Sequence, residues 1–352
     1  MRRPEYAASY EASVAFLEEA ETFHLASTTP DGAPVLRTLH GVVDDGWLCF
    51  HASPKGEKTE LVGRPAVAAS ETVVAVIPSY FTDPQRACPA TTLYRSAQVH
   101  GVIQPVEAPE RKARVLSGLM TKLQREGGYQ PIVHDDPMYR AAVRGLLIAG
   151  IPLEREQVTG KMKLAQNKTP SERVLVLEGL WRRGAPGDVA AIEAIRDANP
   201  GTPVPEFLRA PDGVSLHPWL PESALEPAVA MLSTEYWNDR FTREALLRAH
   251  RGATAWVGAR DGDGRLVATA RALSDGGKYA WVYDVCVAET HRGRGVGQAL
   301  MRVLLDHPTV RGCTQVNLGT RDAQSLYARF GFVPRSELPA RPYVSTEMSL
   351  LR

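Results

Sequence analysis

Along the first 160 residues the apolar positions fall mostly in short runs broken by turn residues, a strand pattern rather than a long-helix pattern. One helix precedes them. Tyr6, Tyr10, Val14, Phe16 and Leu17 fall near one face of a helix predicted over residues 6–21. Strands over 23–27, 35–43 and 47–51, separated by the turns TTPDGAP and DDG, then form a three-strand meander. KGEKTELVGRP reads as a short helix ended before Pro65. Further strands are predicted over 66–76, 92–106 and 145–155, with a helix over 109–126 that opens on Pro109. Five or six strands with early hairpins and few helices argue for a small barrel.

The pattern then changes. WRRGAPGDVAAIEAIRDANPGTPVPEFLRAPDG holds one amphipathic helix and a stretch rich in proline and glycine, which places a boundary near residues 211–214. Beyond it, helices are predicted over 223–237 and 243–249, the second with Thr242 as N-cap. A hairpin follows over 253–259 and 265–273 around DGDG, then a strand over 279–287. Helix, strand and helix close the order over 297–305, 313–318 and 323–330. Such an alternation predicts an α/β arrangement, a central mixed sheet flanked by helices.

Length agrees with two domains, since 352 residues exceed one ordinary core. A formal net charge of +1, and no basic run with interleaved aromatics, give no electrostatic case for nucleic acid or an anionic membrane surface. No apolar stretch of about 18 residues is present, and the start MRRPEYAASYEASVAFLEEAE is too charged for a signal-peptide core, so a cytoplasmic location is expected. Cys49, Cys88, Cys286 and Cys313 lack C-x-x-C spacing and read as reduced thiols, mostly buried. The histidines form no ligand pair, so no metal site is expected.

Candidate chemistry concentrates in HRGRGVGQAL, residues 291–300, which follows the 279–287 strand and opens an apolar-periodic segment. Gly293, Gly295 and Gly297 let the backbone turn tightly and approach a ligand. The helix behind them points unpaired N–H groups and its positive dipole end at whatever sits there. Arg292 and Arg294 add charge. A dinucleotide fingerprint would space its glycines as G-x-G-x-x-G within a βαβ unit; here the spacing is R-x-x-G-x-G.

Arg292-x-x-Gly295-x-Gly297 resembles the coenzyme A signature of the GCN5-related N-acetyltransferase (GNAT) superfamily. The likeness runs over residues 214–352, through YWNDRF, VYDVCV, the glycine turn and VNLGTRDAQSLYARFGFVP. It implies acetyl-CoA bound by backbone at Val285 and Val287 and by the turn Arg292, Gly293, Arg294, Gly295, Val296, Gly297 and Gln298. It also implies a small amine acceptor entering near Tyr236, Trp237, Asn238 and Asp239. Tyr327 matches the usual general acid, although it could simply pack on the coenzyme. Asp284 is a candidate base or a substrate-positioning group. Where many relatives carry asparagine, this chain has Gly319-Thr320-Arg321-Asp322, which makes Thr320 and Asp322 candidates for coenzyme or substrate contacts.

APVLRTLHG, LCFHASPKGEKTELV, CPATTLYRSAQVHG, EGGYQPI and TGKMKLAQNKTPSER resemble the FMN-binding split barrel of the pyridoxamine 5′-phosphate oxidase-like family. A dianionic phosphate wants charge-assisted donors. The resemblance implies Arg37 and Lys58 in that role, with His51 and Ser53 between them and Tyr94, Arg95 and Ser96 approaching the flavin or a partner subunit. It also implies a homodimer. Lys161, Lys163 and Asn167 recur in the resemblance without evident chemistry. The expected architecture is a split β-barrel, mainly β with flanking helices, over 1–212, and an α/β GNAT fold over 213–352. The expected function is a bifunctional enzyme, an N-acetyltransferase joined to an FMN-dependent oxidoreductase. The competing reading makes the barrel a non-catalytic dimerisation or sensing module.

Overall fold

The computed structural model describes residues 3–338. Residues 339–352, the end of the stretch that resembles the acetyltransferases, lie outside them. The chain divides into two compact units, Met1–Pro203 and Val204–Arg352.

In the first unit the opening helix is shorter than periodicity suggests. Pro4–Tyr6 is a 3₁₀ turn and α1 spans Tyr10–Glu19, because Ser9 Oγ accepts from the Ala12 N–H at 3.1 Å and so starts the helix there. Strands β1 (Thr22–Thr28), β2 (Pro34–His40), β3 (Val42–Asp44) and β4 (Trp47–Ala52) follow, then β5 (Pro65–Ile77), β6 (Thr91–Val102) and β7 (Gln104–Pro105). Helices α2 (Pro109–Leu123) and α3 (Arg140–Gly145) lead to β8 (Leu147–Pro152) and β9 (Val158–Lys163), and α4 (Pro170–Arg183) and α5 (Asp188–Ala198) end the unit.

The expected meander is divided between two sheets. One has the order β2-β1-β5-β6-β9 and the other β3-β4-β8-β7. The stretch read as a single strand over 35–43 changes sheet at Gly41, where a Cβ would lie 2.5 Å from the Phe23 ring, so the backbone can pass that ring only as glycine. Lys122 of α2 pins the corner by donating to the carbonyls of Ala20 and Gly41, each at 2.9 Å. The stretch read as one strand over 92–106 likewise leaves its first sheet at buried Ile103 to pair as β7 with β8. Both sheets close on one core: Leu25, Ala68, Ala97 and Val99 from the first meet Leu48, Phe50, Ala149 and Ile151 from the second. This is a split barrel. KGEKTELVGRP forms a 3₁₀ turn, Glu57–Leu61, instead of a helix. Helices α3 and α4 are not foreseen by the hydrophobic pattern. The second carries a legible start: Thr169 and Glu172 form a reciprocal capping box with Pro170 in the first turn.

In the second unit β10 (Val214–His217), α6 (Leu225–Leu232), α7 (Arg243–Arg251), β11 (Ala255–Asp261), β12 (Leu266–Ser274) and β13 (Tyr279–Val287) are followed by α8 (Val296–Leu305), β14 (Gln315–Asn317) and α9 (Gln324–Ala328). The helix expected over 223–237 is broken. It ends at Leu232, and Tyr236–Asn238 forms a separate 3₁₀ turn. Thr242 caps α7 as expected, accepting from the Ala245 N–H at 3.2 Å. The sheet runs β10-β11-β12-β13-β14, antiparallel except for the last pair, which is parallel. Helix α8 packs on β11 and β12, burying Val296, Leu300, Met301, Val303 and Leu304. Arg302 fastens that helix to the beginning of the unit through the carbonyls of Glu206, Phe207 and Arg209.

Candidate functional site

The site of the second unit follows from how β13 loses its neighbours. On one side, pairing with β12 shifts between Thr269↔Cys286 and Arg271↔Tyr283. An extra residue is accommodated there, and Asp284 takes a left-handed φ of +54°. On the other side, β14 pairs only with Tyr279 to Trp281 and ends at Asn317. Beyond that point the two strands part. A cavity of about 880 Å³ opens between them, walled by β13 from Trp281 to Val287, by the 318–323 loop with Leu326 and Tyr327, and by aromatic residues Tyr236, Trp237 and Phe241.

The glycine turn lies at one end. Gly293 and Gly295 have φ of +74° and +82°, and Gly295 is the N-cap of α8. No side chain caps that helix, so its first N–H groups are free to bind an anion. The residues therefore fit a pyrophosphate. Val296 is core and presents only backbone toward the turn, while Gly297, Val285 and Val287 line the cavity. Gln298 is half-buried and Arg294 exposed. Arg292 is already engaged within the turn. It donates to the Val287 carbonyl at 2.9 Å and pairs with Glu235 at 3.2 Å, bracing the turn against the end of β13.

Tyr327 of α9 reaches the cavity, 8% exposed, with its ring against Phe332 at 6.0 Å. Burial, then Tyr236 and Asp322, push its phenol above the usual 10, which keeps it protonated. Asp284 is buried with both oxygens engaged, Oδ2 with Arg271 Nε at 2.6 Å and Oδ1 with Trp237 Nε1 at 3.3 Å. Of its two roles, this supports positioning over proton abstraction. Thr320 is used locally, accepting from the Ala323 N–H at 3.0 Å, and Asp322 pairs with Arg321 at 3.5 Å on the surface. Cys286 also lines the cavity. Burial, followed by Glu235, pushes its thiol up to about 12, so it is no nucleophile at neutral pH.

Arg271, Glu235 and Arg321 were not among the expected site residues. Arg271 had a signal, as the single charge between Ala270 and Ala272 in an apolar strand. Arg321 lies 3.6 Å from the centre of the Tyr236 ring, a contact no spacing rule reveals. Behind the site, buried His250 packs on Trp256 at 5.3 Å, and its Nε2 has no partner among the described residues.

In the first unit Lys58, His51 and Ser53 come together at the end of β4 and the 3₁₀ turn after it. Desolvation first, then the charges of Lys58 and His40, hold the His51 imidazole below its usual value. Lys58 and Ser53 suit a phosphate. Arg37 does not stand free beside them: its guanidinium forks onto Glu57 at 2.7 and 3.1 Å. Tyr94, Arg95 and Ser96 are divided between the two faces of β6. Tyr94 and Ser96 pair with Lys163 and Lys161 on the face opposite the core residues Leu93 and Ala97, whereas Arg95 falls on the core side. Among the described residues no group of three or more His, Cys, Asp or Glu could hold a metal, and no helix is long and apolar enough to cross a membrane.

Known proteins resemble the two units separately. The family model for pyridoxamine 5′-phosphate oxidase matches residues 9–162, and that of the acetyltransferase (GNAT) family matches 217–332. A Xanthomonas campestris pv. campestris protein assigned to the GNAT family is 35% identical, covering 37% of this chain and 93% of that one, with a TM-score of 0.32. Glucosamine 6-phosphate N-acetyltransferase 1 of Oryza sativa subsp. japonica is 38% identical over 61 residues, 17% of this chain, and the match spans only 37% of that relative. The FAD and heme binding protein of Mycobacterium smegmatis is 16% identical, covering 45% of this chain and 73% of that one, with a TM-score of 0.38. The chain belongs to the GNAT acetyltransferase family through its second unit, and its first unit matches the family model for pyridoxamine 5′-phosphate oxidase.

Proposed function

We infer that the second unit transfers the acetyl group of acetyl-CoA to a small amine. The observation carrying this is the uncapped α8 N-terminus with its left-handed glycines beside a cavity whose far wall presents Tyr327. In the reaction the amine nitrogen bonds to the carbonyl carbon, the C–S bond breaks, and the amine gives up a proton to water, from which Tyr327 is reprotonated after each turnover. Tyr327 supplies a proton to the departing thiolate. The Arg271–Asp284 pair and Trp237 hold the acceptor wall in shape. Thiol release from acetyl-CoA across a panel of small amines tests this reading. Wild type should turn over with at least one amine. Gly295→Ala, which forces a side chain into left-handed backbone, should cost about 1–2 kcal/mol in the turn and raise the KM for acetyl-CoA. Absence of thiol release with every amine would leave only a coenzyme-binding regulator.

For the first unit the reading is a homodimeric flavin-binding barrel that uses FMN in an oxidoreductase reaction. Lys58, His51 and Ser53 would hold the phosphate, and bound flavin would supply the redox chemistry. Outward apolar side chains on the larger sheet, Leu36 and Val73 among them, support pairing of two chains. The Arg37–Glu57 fork favours a second reading in which the barrel serves only to pair chains, because a phosphate would have to displace that carboxylate. Native mass spectrometry with an absorbance spectrum separates the two. Two chains carrying FMN and a flavin band support the first, and two chains without flavin support the second.

A further inference from the structure

The segment TGKMKLAQNK, whose lysines had no evident chemistry, becomes the outer edge of the larger sheet as β9. Lys161 and Lys163 are two residues apart on one strand and therefore share a face. Their amines lie 5.2 and 5.8 Å from the centre of the Tyr94 ring, and Lys161 is also 5.8 Å from the ring of buried Tyr6. Lys163 Nζ donates to Thr91 Oγ1. Neither lysine has a carboxylate partner among the described residues. On the neighbouring strand β5, Glu71, which faces Ser96, is turned to His24 at 3.5 Å. The charges acting on Lys163 besides Tyr94 are Lys161, Arg3 and Lys168, all cationic; with desolvation first, they hold its ammonium below the usual lysine value. Immediately after the strand, Ala165 adopts a left-handed φ of +67°, and the turn it makes brings Lys168 back.

Half-buried lysines gathered without counter-charge repel one another, an arrangement that an anion between them would relieve. We propose that Lys161 and Lys163, with Lys168 at the rim and Tyr94 beneath, form a binding site for a phosphate group, separate from the Lys58 cluster. This goes beyond the flavin reading and does not depend on it. The phosphate belongs either to a flavin nucleotide or to another phosphorylated molecule presented to the barrel, and these sources share the same recognition chemistry.

The test uses the full chain and inorganic phosphate at constant ionic strength, with chloride as control, followed by calorimetric titration and thermal unfolding. Phosphate should bind wild type and raise its melting temperature. Lys161→Met with Lys163→Met should weaken phosphate about tenfold or more. In phosphate-free buffer that variant should melt no lower than wild type, because the repulsion is gone, which also verifies that it folds. Lys161→Arg with Lys163→Arg should retain binding. Unchanged phosphate affinity in the methionine variant, or an equal response to chloride, overturns the proposal. Comparing FMN with riboflavin assigns the source. If the methionine variant abolishes the preference for FMN, the site holds the flavin's own phosphate. If the preference persists while inorganic phosphate binding is lost, the site serves a second phosphorylated molecule. A chain that binds phosphate but no flavin would remove the flavin reading and leave this site standing.

Discussion

Replacing Tyr327 by phenylalanine should lower kcat for acetyl transfer by about 10²–10⁴-fold, the usual contribution of a positioned general acid. The KM for acetyl-CoA should stay close to that of wild type. The ring keeps its contact with Phe332 and its place in the cavity wall, and only the proton donor is removed. The pH dependence gives an independent check. Burial holds the phenol above the usual 10, so its acid form persists through neutral pH. The alkaline limb of kcat in wild type should accordingly fall above pH 10 and be absent from the variant's residual rate. A variant with wild-type kcat and an unchanged limb would assign the proton to another group and leave Tyr327 as a packing residue.

Arg271→Met should destabilise the second unit by about 3–5 kcal/mol, because it strands a charge inside the protein. The two side chains are only 11% and 5% exposed, so water replaces the missing partner poorly. Asp284 would keep a single weak donor, Trp237 at 3.3 Å. Adding Asp284→Asn should recover most of the loss, since the uncompensated charge disappears while the indole N–H can still be accepted. Urea unfolding of the full chain, comparing single and double variants, measures this directly. A single variant within about 1 kcal/mol of wild type would mean that Asp284 takes up a proton, or a new partner, at little cost. Acetyl transfer by the double variant then separates Asp284's two roles. Retained turnover agrees with a positioning group, and a collapse of kcat with intact stability restores it as the base.

Both predictions concern the part of the site that was only half legible. Tyr327 and the glycine turn could be found because each belongs to a short contiguous segment, SLYARFGF and RGRGVGQ, where a few neighbouring residues specify the local backbone. Arg271 and Asp284 stand 13 positions apart on paired strands, and the bulge that turns them together depends on the register of those strands. In the first unit, the resemblance alone brings Arg37 and Lys58 together, from two separate segments. Glu57, the immediate neighbour of Lys58, turned out to capture the arginine 20 positions earlier. Conversely, the capping box Thr169-Pro170-Ser171-Glu172 was fully local and could have been read, yet the hydrophobic pattern alone passed over it.

What the chain encodes locally is the set of turns and caps, the alternation of strands, the change of composition between the units, and the R-x-x-G-x-G anion turn, because each depends on residues a few positions apart. What only the tertiary structure decided is which strand joins which sheet and which charges meet. Gly41 sends one apparent strand into two sheets because the Phe23 ring leaves no room for a side chain. The pairing of β6 with β9 sets Tyr94 and Ser96 beside two lysines and Arg95 on the other face. The early end of β14 opens the cavity. These are consequences of packing and register between distant segments, where the same side chain meets a carboxylate, an aromatic ring or solvent according to what the rest of the fold places against it.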